Sequence, residues 1–172
     1  MLAAHYGIVH LSSGELLRKE VATGTRIGAI AAGFLLRGDL VPDELVIQML
    51  AVPVLEAARQ GGYVLDGFPR TLRQAEEAHR VATQIEGIEL QAVLHLAVSR
   101  EELHRRFVVR AQTERRNDDT EATFMHRLGV FDSETEPLLA FYAERGLVID
   151  IDGEQLVDKV FADIVSAVDK LK

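Results

Sequence analysis

The sequence predicts an α/β protein built on a mostly parallel sheet, and three observations carry that prediction. Short apolar runs at 8–11, 63–66, 91–98 and 147–151 have the length and composition of buried strands. Segments with helical spacing of apolar residues lie between them, and strands alternating with helices make a parallel sheet. The octet Tyr63-Val64-Leu65-Asp66-Gly67-Phe68-Pro69-Arg70 reads as a buried strand ending in a tight turn that presents one carboxylate and one guanidinium. There is no internal repeat and no low-complexity tract.

Taken in order, residues 1–6 look like the last turn of a helix, with Gly7 at its C-cap. The run 8–11 is the first strand. Ser12 and Glu15 then have capping-box spacing, which starts a helix over 15–22. A second helix is expected over 25–36, closed by Gly38. Pro42, Asp43 and Glu44 suit the start of a third, whose apolar face runs through Val46, Met49, Leu50 and Val54. Pro53 lies inside it and should kink or interrupt it. A polar helix covers 71–83. Ser99 and Glu102 form another capping box, opening a helix over 100–110 with Leu103, Phe107 and Val108 inward. Residues 111–119 lack an apolar pattern and read as a loop. A long helix spans about 120–145, with Phe124, Leu128, Phe131, Leu138, Leu139 and Tyr142 as core candidates, and Pro137 should break it. Val157, Val160, Phe161, Ile164 and Val168 mark a closing amphipathic helix.

At 172 residues, one α/β domain fits. Hydrophobic content of 48% supports a core, and the net charge of −8 disfavours nucleic acid as a partner. The chain has no Cys, which removes disulfides and thiolate chemistry and fits a reducing cytoplasm. No apolar run reaches membrane-spanning length, so no membrane partner is expected. Of 19 basic residues 15 are Arg, many of them between Arg100 and Arg127. A guanidinium is a planar fork suited to phosphate. Arg18, Arg70, Arg106, Arg110, Arg116 and Arg127 are the candidates. Arg106 and Arg110 share one helix face, and a loop after them could fold over a polyphosphate.

Four segments, in order, resemble the adenylate kinases within the nucleoside monophosphate kinase family. Ser12-Ser13-Gly14-Glu15-Leu16-Leu17-Arg18 is similar to S-T-G-D-x-L-R. Gly38-Asp39-Leu40-Val41-Pro42-Asp43-Glu44-Leu45 is similar to G-x-L-V-P-D-E-L. Leu65 to Arg70 matches L-D-G-F-P-R, followed by Gln74. Arg110 to Asp119, then Arg127, resembles the short-lid R-x(5)-R-x-D-D…R pattern. The resemblance implies a P-loop-kinase-type three-layer parallel sheet with helices on both faces. It implies one domain over 1–172, with core 1–11, 42–109 and 120–172, an NMP-binding arm at 12–41 and a short lid at 110–119. It further implies a cytoplasmic monomer performing reversible transfer, ATP + AMP = 2 ADP, with Mg²⁺ accompanying ATP.

Site roles come from the same resemblance, position by position. Ser13 would contact the acceptor nucleotide, beside Gly67 and Phe68. Arg18 and Arg70 would hold the AMP α-phosphate. The backbone of Asp39, Leu40 and Val41 and the side chain of Gln74 would recognise adenine. Asp66 would order the Mg²⁺ hydration shell. Arg106 and Arg110 would face ATP, with Gln155 near its adenine. Arg116 and Arg127 would bind phosphates during transfer, so Arg70, Arg110, Arg116, Arg127 and Asp66 carry the catalytic roles. Catalysis would be positioning plus charge neutralisation.

The sequence departs from the family at one decisive place. No G-x-x-x-x-G-K loop is present, and the dipeptide Gly-Lys occurs nowhere. In the family the strand before that loop lies between those matching 63–66 and 91–98. The expectation is therefore either a gap with two unpaired edges or direct pairing of those strands. A start upstream of Met1, a fragment and a degenerate member each account for this, and the intact downstream set favours the first two. The chain as given is expected to be inactive. The alternative reading is a non-catalytic AMP-binding or interaction module.

Overall fold

The computed structural model describes residues 1–84, 89–114 and 118–171. Helix α1 (Leu2–Tyr6) ends at Gly7, whose φ of 66° lets its N–H reach Ala3 O. Strand β1 (Val9–Ser12) comes next, then α2 (Ser13–Ala22), α3 (Arg26–Arg37) and α4 (Asp43–Arg59). The second half holds β2 (Tyr63–Asp66), α5 (Leu72–Gln84), β3 (Val93–Ala97), α6 (Arg100–Glu114), α7 (Glu121–Val130), α8 (Pro137–Ala143), β4 (Val148–Asp152) and α9 (Val157–Val168). The α/β expectation holds, and the serine half of each expected capping box forms, while the Ser99 N–H goes to Glu154 Oε1 rather than to Glu102. Ser12 Oγ accepts from Glu15 N–H at 3.5 Å and Ser99 Oγ from Glu102 N–H at 3.3 Å.

Among the described residues the strands form two separate parallel pairs, β1–β2 and β3–β4. Val9 sits opposite Tyr63 in the first and Val93 opposite Val148 in the second. No ladder joins β2 to β3, so of the two arrangements expected it is the gap that forms. Helices span it instead. Tyr6 on α1 donates to Asp169 Oδ1 at 3.0 Å, and the His5 ring meets Phe161 on α9 edge-on. Elsewhere α5 packs on both α4 and α8.

Each pair has its own core. Leu17, Ala31, Val41, Val46, Met49 and Leu50 pack with Leu65 and Phe68. Ala75, Leu138 and Tyr142 pack with Val93, Leu147 and Val148. Strands β2 and β3 are at most half-buried, and Leu96 on β3 is 47% exposed. The accessible surface is 10610 Å². A compact monomer of this mass would expose about 8,400 Å². An open sheet and a projecting arm account for that direction of difference.

The arm itself is tight. Where α2 meets α3, a Cβ on Gly28 would lie 2.1 Å from Glu20 O, so only glycine allows that crossing. At its far end, Gly38 (φ 80°) caps α3 against Thr123 and Arg127 of α7.

Several local expectations are corrected. Pro53 does not interrupt α4, because Val46, Met49, Leu50 and Ala57 bury one face across it and outweigh one missing hydrogen bond. The segment read as a loop from 111 is helical to Glu114, where Thr113 Oγ1 bonds back to Val109 O. The long helix does break, but as a π-helical turn over Phe131–Thr135, with Pro137 opening α8. Val108, Phe131 and Val157 are exposed rather than core, since no neighbouring element covers them.

An unpaired edge leaves alternate amides of a strand without partners. In β2 and β3, every second amide is expected to exchange with solvent as fast as in a loop, while its neighbours stay protected. Uniform protection along either strand, read by hydrogen-exchange NMR, would contradict the split sheet.

Candidate active site

Open α/β sheets bind ligands beyond the carboxyl ends of their strands. The first pair of strands ends at Ser12 and Asp66, and the chain turns there through Gly67. Gly67 has φ 71°, and its carbonyl oxygen accepts from Ser13 Oγ at 2.7 Å and from Arg70 Nε at 2.8 Å. The start of α2 and the turn after β2 are thus tied to one atom. A Cβ at Gly67 would lie 2.8 Å from Arg70 Nη2 and 2.9 Å from Ser13 Oγ. Phe68 packs into the neighbouring core.

Three guanidinium groups gather at this end. Desolvation lowers the Arg70 pKa from its ordinary value, Asp66 opposes this, and Arg127 and Arg18 add to the lowering. Arg70 is nonetheless solvent-accessible. Arg18 folds back over Gly14. Asp66 is exposed and makes no side-chain hydrogen bond or ion pair among the described residues.

A second set joins α6 to α7. Asp119, with its side chain 1% exposed, receives Arg110 at 3.0 and 2.8 Å, and Arg127 Nη1 at 3.4 Å. Arg127 also pairs with Asp118. Burial works to raise the Asp118 pKa, but the hydrogen bond and charge of Arg127, with help from Arg18, hold it below the usual value. A continuous line of alternating charge therefore runs Arg110–Asp119–Arg127–Asp118, with Arg18 and Arg70 beside it.

The second pair of strands ends in its own polar cluster. Arg106 donates from Nε to Glu102 at 2.7 Å and from Nη2 to Gly153 O at 2.6 Å. Gln155 Nε2 is held by Asp152 O at 3.2 Å and Asp163 Oδ2 at 3.0 Å. Arg105 and Arg106 together push the Glu102 carboxyl down to about 2.

The arm's end contributes the rest. The Asp39 carboxylate binds Arg37 Nε and His126 Nε2, both at 2.7 Å, and these two hold its pKa low. Leu40 is half-buried and Val41 buried. Gln74 is only 2% exposed, and both ends of its amide are engaged within the protein. Arg116 lies outside the described residues. Among the described residues no group of three or more His, Cys, Asp or Glu side chains could hold a metal ion.

The structure thus brings Ser13, Arg18, Asp66, Gly67, Arg70 and Arg127 to one strand end, and Arg106 and Gln155 to the other, with Arg110 in the ion-pair line. Sequence reasoning assigned no role to Asp43, Thr71 or Thr135, which hold the turn after β2 from three directions. The capping-box spacing of Thr71 and Gln74 was a signal that could have found Thr71.

Two outcomes are expected. Gly67→Ala places an L residue at positive φ and drives its Cβ against Ser13 and Arg70, so it should cost about 1–3 kcal/mol. Urea unfolding of the variant within about 0.5 kcal/mol of the parent would rule out the shared-carbonyl arrangement. Glu102, with its folded pKa below the unfolded 4.5, contributes stability above pH 4.5 that is lost as pH falls toward 2. A carboxyl-carbon NMR titration should show a midpoint near 2 that moves back toward 4.5 in Arg106→Ala.

The family model described as adenylate kinase matches residues 1–147. An adenylate kinase of Phocaeicola vulgatus is 42% identical over 166 residues, covering 96% of this chain and 87% of that protein. One of Thermus thermophilus is 40% identical, covering 96% and 86%. One of Methanococcoides burtonii is 34% identical over 197 residues, covering 99% and 91%.

Proposed function

The chain belongs to the adenylate kinase family of phosphotransferases, and from that premise we propose that the end of β1 and β2 is its AMP site. The observation that carries the reading is the gathering of Arg18, Arg70 and Arg127 around one strand end in a chain of net charge −8. Arg18 and Arg70 stand beside the aspartate-paired Arg127, and a phosphate accepts the forked donors that guanidinium offers.

In this reading Arg18 and Arg70 grip the α-phosphate of AMP. Ser13, Gly67 and Phe68 form the floor beside it. Asp39, Leu40, Val41 and Gln74 stand on the adenine side. Residues 12–41 are the acceptor arm and 110–119 the short lid, within a core of 1–11, 42–109 and 120–172. Arg110 and Arg127, now neutralised by Asp118 and Asp119, turn part of their donors to the phosphates during transfer, with Arg116 joining them from the lid. Arg106 and Gln155 stand on the ATP side.

The donor nucleotide brings Mg²⁺, which takes most of its ligands from water and phosphate. One exposed carboxylate at the right strand end, Asp66, fits an outer contact to that hydration shell, and the single-carboxylate donor set agrees with it. The cation's contribution is to neutralise charge on the transferring phosphoryl group. The protein's is to align the two nucleotides. We further propose a cytoplasmic monomer. Among the described residues, no helix is long and apolar enough to cross a membrane.

These 172 residues contain no Gly-Lys and so lack the lysine that the family uses on the donor phosphates. The split sheet likewise favours a second reading of this chain by itself, a module that binds AMP without turnover. A coupled assay separates the two. The chain alone should form ADP at or near zero rate, and a chain carrying a G-x-x-x-x-G-K loop upstream should form it in an AMP-dependent way. AMP binding by calorimetry should vanish in Arg70→Ala. Measurable turnover by the 172 residues would refute the first expectation, and undiminished AMP binding in Arg70→Ala would refute the site.

A further inference from the structure

Gln74 has nearly no contact with solvent, yet its carboxamide is fully directed. Its Oε1 accepts the backbone N–H of Arg70 at 2.8 Å, and its Nε2 donates to Asp43 Oδ1 at 2.7 Å. A backbone N–H can only donate and a carboxylate can only accept, so the two neighbours permit one orientation of the amide and forbid the flipped one. Asp43 is held in turn. Its Oδ2 accepts Thr71 Oγ1 at 3.1 Å, and Thr71 Oγ1 accepts the N–H of Gln74 at 3.1 Å. This closed ring of side chains sits at the start of α5, and its one outward bond reaches the backbone of Arg70.

We infer that Asp43 is a positioning residue for phosphate recognition: through Gln74 it fixes the backbone of Arg70, and so the direction of its guanidinium. The inference rests on the reading of Arg70 as the group that grips the α-phosphate. Three bonds hold Arg70 in place. Its N–H goes to Gln74, its Nε–H goes to Gly67 O at 2.8 Å, and its carbonyl accepts from Thr135 Oγ1 at 3.0 Å. The guanidinium has few directions left once both backbone polar groups and Nε are spoken for. Gln74 retains one N–H and one lone pair, so a contact to the base is compatible with the ring. The ring adds a contribution that does not depend on the base.

That independence makes the inference testable. Calorimetric titrations with AMP and with ribose 5-phosphate compare a ligand that has the base with one that lacks it. Asp43→Asn turns its amide NH2 either toward Gln74 Nε2 or toward the donating Thr71 hydroxyl, breaking one bond of the ring either way, and Gln74→Glu turns a carboxylate toward a carboxylate. Asp43→Asn should weaken both ligands by the same factor, about tenfold or more, and Gln74→Glu should weaken ribose 5-phosphate by that factor and AMP by at least as much. The double variant Asp43→Asn with Gln74→Glu restores a donor–acceptor pair across the same gap. Its Asn oxygen still accepts from Thr71 and its Glu still accepts from Arg70. The affinity for ribose 5-phosphate should return to within about threefold of the parent.

Loss of AMP affinity with ribose 5-phosphate untouched would overturn the inference, because Gln74 would then act on the base. Additive rather than compensating losses in the double variant would overturn it as well. Hydrogen exchange at the Arg70 amide gives a readout without ligand. Protection should fall in either single variant and recover in the double, and unchanged protection would also sink the idea. Arg70→Ala titrated alongside separates the premise: if it binds both ligands as the parent does, the phosphate assignment of Arg70 fails and the inference fails with it, whereas a collapse of both with unaffected single variants refutes the ring alone.

Discussion

The carbonyl oxygen of Gly67 receives the hydroxyl of Ser13 and the Nε–H of Arg70, and it can do so because residue 67 takes a backbone conformation open to glycine. Ser13 opens the first helix of the arm, and Arg70 ends the turn after β2. One acceptor therefore fixes the relation between an element that carries Arg18 and one that carries Asp66 and Arg70. It thereby holds the elements carrying the Arg18 and Arg70 guanidinium groups side by side, while Asp118 and Asp119 hold Arg127. Their mutual repulsion is offset by Asp66, Asp118 and Asp119, which lie close enough to shift the balance of charge but leave Arg70 open to solvent.

The same economy explains why the fold holds together around a divided sheet. Each strand pair is a small unit with its own apolar cluster, and the connection between them is made by helices and polar contacts rather than by a ladder. Burial is correspondingly shallow: no large side chain is wholly enclosed among the described residues. Charge pairs take on more of the positioning than in a deep core. They are also the contacts most easily re-formed around a charged ligand.

Much of this was legible in the sequence because local rules and global pattern agree. The strand ending at Asp66, the serine caps at Ser12 and Ser99 and the left-handed caps at Gly7 and Gly38 were all readable from residue type and spacing. Pro53 misled because burial across one face overrides a single local penalty. Phe131 and Val157 misled because an apolar residue at helical spacing still needs a neighbour to cover it. The arginines were visible as a set, but their partners were not. Asp119 binds Arg110 nine residues away, and Asp43 reaches Gln74 from another helix, and no periodicity encodes such meetings.

The π-helical turn at Phe131–Thr135 changes the direction in which α8 presents its side chains. The carbonyl of Phe131 receives the N–H of Glu136 at 2.8 Å, five residues on rather than four. One additional residue in a turn rotates all later side chains by about 100° about the helix axis relative to an unbroken helix. The apolar stripe of α7 and that of α8 are thereby out of phase. Phe124 stacks on Phe107 of α6, while Leu138 and Tyr142 face Ala75 of α5 and the β3–β4 pair. One near-continuous rod thus serves two walls of the molecule, and the swollen turn between them is where Thr135 leans out to take the Arg70 carbonyl.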